Sequence, residues 1–129
     1  MTSILFLLTP KASTSFLFSD DSLRQAVEKM EFHRYALIPV ITREGEYVRS
    51  ISEGDILYTM KRNNLTFDMI HRYPLDAVPS NRDIKPVKID ATVDDLKALI
   101  ITQNYVPVVD DKGIYIGIIT RKAVMGVLF

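Results

Sequence analysis

The chain contains no cysteine, which excludes disulfides, thiol nucleophiles and thiolate metal sites and is the composition expected of a reducing compartment such as the cytoplasm. Neither sign of charge is in surplus. Sixteen Lys and Arg balance 16 Asp and Glu, so no overall field draws nucleic acid or an acidic membrane surface, although a locally basic pocket stays open. No long apolar run is present either. Ile4 to Leu8 is far too short to span a bilayer and ends at Pro10-Lys11. It also lacks the basic start and small-residue cleavage site of a signal peptide. A Gly-rich phosphate loop, a Ser/His/Asp set at recognisable spacing and a metal-ligand cluster are all missing, and His33 and His71 have no neighbouring ligands. The expectation is a cytoplasmic protein without catalysis, bound metal, membrane insertion or a nucleic-acid partner. At 129 residues it suits one compact domain or two small repeats sharing a core.

What is present is a duplication. Ile38-Pro39-Val40-Ile41, Glu44-Gly45-Glu46-Tyr47-Val48 and Ser52-Glu53-Gly54-Asp55 read as strand, turn, strand and helix start. Val106-Pro107-Val108-Val109, Lys112-Gly113-Ile114-Tyr115-Ile116 and Thr120-Arg121-Lys122-Ala123 repeat the pattern. Pro39 to Pro107, Gly45 to Gly113, Tyr47 to Tyr115 and Ser52 to Thr120 each differ by 68 positions, a single offset without gaps.

Local patterns fill in the elements. Residues 4 to 10 read as a short helix or strand that caps the domain, and Ser13 to Phe18 as a short strand. Ser22 with Gln25 fits a capping box, and Leu23, Ala26, Val27 and Met30 give one apolar helix face running to about His33. Ala36 to Ile41 is a covered strand in which Pro39 demands an edge or a break in the ladder. Arg43-Glu44-Gly45 turns the chain into Tyr47 to Ile51, its antiparallel partner. Ser52 then caps a helix expected to carry Ile56, Leu57 and Met60 inward. A connector with one helical turn near Phe67 to His71 follows. Pro86 to Ile89 restarts the pattern, and Thr92-Val93-Asp94-Asp95 has the form of a second capping box before Leu96, Leu99 and Ile100. The fold class is therefore α/β, two β-α-β-β-α repeats packed sheet against sheet as a pseudo-twofold pair. Repeat one covers about 8–61, the connector 62–83 and repeat two about 84–129. Neither repeat alone buries both faces of its sheet.

These residues resemble the tandem CBS-domain pair, named after cystathionine β-synthase, in its stand-alone prokaryotic form and over essentially the whole chain. The resemblance rests on Leu8-Thr9-Pro10-Lys11, Asp21-Ser22-Leu23-Arg24-Gln25-Ala26, the two Pro-Val strands and, above all, the helix starts at Ser52 and Thr120. It implies a non-enzymatic regulatory module. An adenine nucleotide (AMP, ADP, ATP or cyclic di-AMP, with S-adenosylmethionine less favoured) would occupy the cleft between repeats. A homodimer and an unidentified regulated partner are implied too. The apolar helix from Ile56 to Met60 and the apolar Val124 to Phe129 end are candidate dimer surface. The alternative is a ligand-free dimerisation or scaffold module. Two departures stand out: Arg49 and Ser50 replace the usual Gly and aliphatic residue, and Ala123 stands where the second motif should carry Asp.

Within the resemblance, Asp55 is the ribose acid, since one carboxylate accepts both vicinal hydroxyls in charge-assisted bonds. Ser52 and Thr120 sit at helix N-termini, which favour an anion, and Arg121 and Lys122 add positive charge for a phosphate. Ser13, Ser15, Ile38, Pro39 and Pro107 complete the candidate ligand set around the base. Ser52 and Asp55 also satisfy a plain capping reading, as does Thr120, and Arg121-Lys122 a solvated pair. Arg82 and Lys85 are minor phosphate candidates, while Tyr47 and Tyr115 read as packing residues. Asp55→Ala is expected to weaken ribose-containing ligands while leaving the ligand-free protein nearly as stable.

Overall fold

The computed structural model describes residues 3–128. Each repeat supplies the expected five elements. The first gives β2 (Leu17–Phe18), α1 (Leu23–His33), β3 (Leu37–Ile41), β4 (Tyr47–Ser52) and α2 (Glu53–Arg62). The second gives β5 (Val87–Lys88), α3 (Val93–Ile100), β6 (Tyr105–Val109), β7 (Tyr115–Thr120) and α4 (Arg121–Leu128). A further strand, β1 (Thr9–Pro10), precedes them. The mixed α/β architecture has two sheets, ordered β2-β3-β4 and β1-β7-β6-β5.

The helix starts follow local chemistry. Ser22 Oγ accepts from Gln25 N and Gln25 Oε1 from Ser22 N, a complete capping box that satisfies two otherwise orphaned donors. Ser52 with Asp55 and Thr92 with Asp95 close the same box at α2 and α3. Helix α1 stops where Arg34 turns left-handed, at φ 59°. Both Pro-containing strands, β3 and β6, are buried along their whole length, as the apolar runs require. Pro39 and Pro107 avoid the parallel ladders, because β2 meets β3 only at Val40 and Ile41 and β5 meets β6 only at Val108 and Val109.

The chain forms two compact units, and their membership differs from the order of the repeats. Among the described residues, one comprises Ser15–Arg43 and Val48–Asp83; the other comprises residues 3–14, Glu44–Tyr47 and residues 84–128. The lead-in to each repeat is thus built into the other repeat's unit. Ahead of repeat one, Ile4 is fully buried beside Leu96, Val106 and Val124, and Thr9 and Pro10 pair antiparallel with Ile118 and Gly117 of β7. Ahead of repeat two, Ile70, Leu75 and Val78 are buried with Leu23, Ile38 and Ile51. The stretch read from sequence as a connector therefore carries core, through single 3-10 turns at Ile70–Arg72 and Leu75–Ala77.

Two local expectations are revised. Of the expected Ser13 to Phe18 strand, Leu17–Phe18 takes strand form; the chain first turns through Lys11–Ser13, closed by Thr14 Oγ1 donating to Lys11 O. Leu57 points outward and is 60% exposed. The buried stripe of α2 runs through Asp55, Ile56 and Thr59, and two polar members hid it from a hydrophobic count.

Candidate functional site

The expected ribose acid lies at the start of α2. Ser52 is extended (φ −99°, ψ 163°), and its Oγ accepts from Asp55 N at 3.1 Å. Asp55 returns the bond, Oδ2 accepting from Ser52 N at 2.9 Å. Its other oxygen, Oδ1, accepts from Asn81 N at 2.9 Å. The residue is 3% exposed. Both carboxylate oxygens are thus engaged by backbone N–H groups, one from the helix cap and one from the lead-in to repeat two. A buried acid with two such bonds cannot be stability-neutral, so the expectation for Asp55→Ala is corrected: its removal strands two donors.

Beside it stands Arg49, noted from sequence only as a departure. Its guanidinium donates to Leu75 O at 3.0 Å, to Ser80 Oγ at 2.9 Å and to Val78 O. Burial pulls its pKa below the ordinary arginine value, and the nearby charges of Asp76 and Asp55 oppose that shift. At the matching position of repeat two is Gly117, where a Cβ would lie 2.2 Å from Thr9 O. The two lead-ins are therefore held differently, one by strand pairing at a glycine and one by an arginine side chain. A charge in the middle of a strand was the signal for Arg49; Asn81 acts through its backbone, so side-chain chemistry gave no sign of it.

The remaining candidates in this unit are apolar or small. Ile38 is fully buried in the core, Pro39 is buried, and Ser15 is 8% exposed. Ser13 is exposed and falls in the other unit, at the end of its 3-10 turn.

In that second unit Thr120 Oγ1 accepts from Ala123 N at 3.1 Å, capping α4. Ala123 packs on the core and presents no acid. Arg121 turns back, Nε donating to Ile100 O at 2.8 Å, where cationic charge meets the carbonyl end of α3. Lys122 is exposed and Pro107 buried. Thr14 Oγ1 and the buried Tyr115 hydroxyl are 2.9 Å apart, and Tyr47 donates through its hydroxyl to Ile84 O. Both tyrosines thus pair with lead-in or loop atoms as well as pack. Among the described residues, no group of three or more His, Cys, Asp or Glu is arranged to hold a metal ion, and no helix is long and apolar enough to cross a membrane.

The family model for the CBS domain matches residues 15–62 and 76–129. An uncharacterised protein of Methanocaldococcus jannaschii, MJ1426, is 27% identical over 81% of this chain and 80% of its own length. The crystal structure of CbpB in complex with c-di-AMP superposes with a TM-score of 0.87 at 23% identity, covering 98% of this chain and 84% of that one. The structure of CBSX2 in complex with AMP gives a TM-score of 0.77 at 22% identity, covering 99% and 96%.

Proposed function

The chain belongs to the CBS-domain family, and from that premise we propose a non-enzymatic regulatory module that binds an adenine nucleotide and transmits its occupancy to a partner protein. The observation that carries this reading is the buried Asp55 carboxylate at the mouth of α2, next to the Ser52 hydroxyl. A vicinal diol matches the two oxygens of such an acid, and the positive helix end favours the anionic remainder of a nucleotide. That similar structures contain c-di-AMP and AMP supports an adenine ligand. With Ala123 in place of an acid, the second motif has no ribose grip, so one diol-binding site per chain is expected. There Thr120 and Lys122 serve a phosphate, with Arg121 contributing charge beyond its bond to α3.

Calorimetric titration with AMP, ADP, ATP and cyclic di-AMP tests the proposal directly. Binding of at least one of them near one equivalent is the expected result, lost in Asp55→Asn for the mononucleotides, which carry the free 2′,3′-diol. No heat with any of the four would leave the second reading, a ligand-free scaffold. That reading is favoured by one specific observation, the engagement of both Asp55 oxygens by the chain's own N–H groups. The assembly proposed is a homodimer formed through the α1/α2 face. Leu57 and Phe67 there are 60% and 71% exposed and flank a groove of about 620 Å³ that also takes in Val27, Met30 and Met60.

A further inference from the structure

Asp55 joins the helix cap to the lead-in of repeat two, and only one of these partners is local. Ser52 N lies in the same turn, so its bond with Oδ2 forms whenever α2 forms. The Asn81 N bond with Oδ1 closes a loop of 26 residues and holds a segment that has little else fixing it. The anchoring ends upstream. Leu75 and Val78 are buried at 0% and 1%, and Arg49 grips Leu75 O, Val78 O and Ser80 Oγ. Ser80 Oγ reaches Ser50 O only at 3.4 Å. Beyond Val78, residues 79–83 are exposed or half-exposed and form no helix or strand. The equivalent lead-in of repeat one is held differently, by main-chain pairing of Thr9 and Pro10 with β7.

We infer that residues 79–83 form a latch that competes with the nucleotide for Asp55. A ribose diol must reach the carboxylate, which is 3% exposed with the Asn81 main chain lying 2.9 Å from Oδ1, so residues 79–83 have to move aside for the sugar and diol binding competes with the latched state. The inference rests on Asp55 being the ribose acid. It adds the means by which occupancy is read out: the bound sugar frees residues 79–83, the stretch that runs directly into Ile84 and β5. Arg49 is the positioning residue. It stays bonded to Val78 O in both states, which confines the change to the five residues beyond that point. The nucleotide acts only through its different affinity for the two states, and its apparent affinity is lowered by the fraction of chains latched.

The test is hydrogen exchange at the Asn81 amide, read by NMR in the full-length protein with AMP and with 2′,3′-dideoxy-AMP, alongside calorimetry of wild type and Asn81→Pro. The latch predicts a protected amide in the free protein, exchanging about tenfold or more faster with AMP and unchanged with the dideoxy analogue. Asn81→Pro, which has no N–H to give, should bind AMP about tenfold more tightly. AMP binding that leaves Asn81 exchange unaltered, in a protein whose Asp55→Asn variant loses that binding, overturns the latch and keeps the functional reading. Absence of binding of AMP, ADP, ATP and cyclic di-AMP in both wild type and Asn81→Pro overturns both.

Discussion

Asp55 and Asp95 occupy the same station in two helices, three residues after a hydroxyl cap, and each accepts from the cap's N–H at 2.9 Å. Burial separates them. Asp95 is exposed, so Asp95→Ala removes a helix-end bond that water replaces, and a loss of about 0.5–1 kcal/mol is expected. Asp55→Ala removes an acid that is 3% exposed and takes the acceptor from both Ser52 N and Asn81 N, raising the loss to about 1–3 kcal/mol. Urea unfolding of the two variants side by side checks the ratio; equal losses would contradict the role given to burial. Arg43 provides a second comparison at this scale. Its Nε lies 3.0 Å from both Asp20 carboxylate oxygens while its guanidinium rests 3.9 Å from the Phe18 ring centroid. The hydrogen bond from Arg43 holds the Asp20 carboxyl below its usual pKa, with charge attraction adding to it. A depressed acid stabilises the fold above its unfolded pKa of about 3.9 and loses that contribution as pH falls through the folded value. Arg43→Met should return Asp20 to the ordinary carboxylate range in an NMR titration, with a small change in stability because the pair is solvated.

Among the elements, β1 is the least obvious in the sequence and the most dependent on a single neighbour. Two residues long, it joins the second sheet because Gly117 (φ 152°) lets the Thr9 carbonyl approach. Gly117→Ala places a methyl 2.2 Å from that oxygen and 3.1 Å from Pro10 Cα, atoms of backbone that cannot rotate away. Detachment of residues 4–10 and a destabilisation of about 1–3 kcal/mol are expected. Faster amide exchange in that segment, with β6 and β7 still protected, is the signature; a variant as stable as wild type would argue against it. Helix α2 shows the converse, an element legible in sequence whose orientation was misjudged. Its two-turn apolar count favoured Leu57, yet the stripe through Asp55 and Thr59 faces inward and leaves Leu57 on the surface.

For the whole molecule, the exposed Leu57, Tyr58 and Phe67 concentrate large apolar side chains around the groove between α1 and α2. A dimer through this face predicts that Leu57→Lys converts a two-chain species to one chain in sedimentation equilibrium without unfolding it, since an outward lysine disturbs no core. A wild-type protein that sediments as one chain at high concentration would end this assignment. Val127 and Leu128, 45% and 38% exposed, belong to the other apolar surface expected from sequence; Phe129 lies outside the described residues.

By itself the sequence determined the duplication, the order of elements within each repeat, the three capping boxes and the family. All of these are written in near neighbours: a hydroxyl three residues before its partner, an apolar period, one constant offset. Tertiary structure alone decided which unit each lead-in joins, that Leu75 and Val78 are core, and that Asn81 bonds to Asp55. Those outcomes depend on pairings many residues apart and on main-chain N–H groups, which every residue but proline carries and which therefore leave no mark in the letters of the chain.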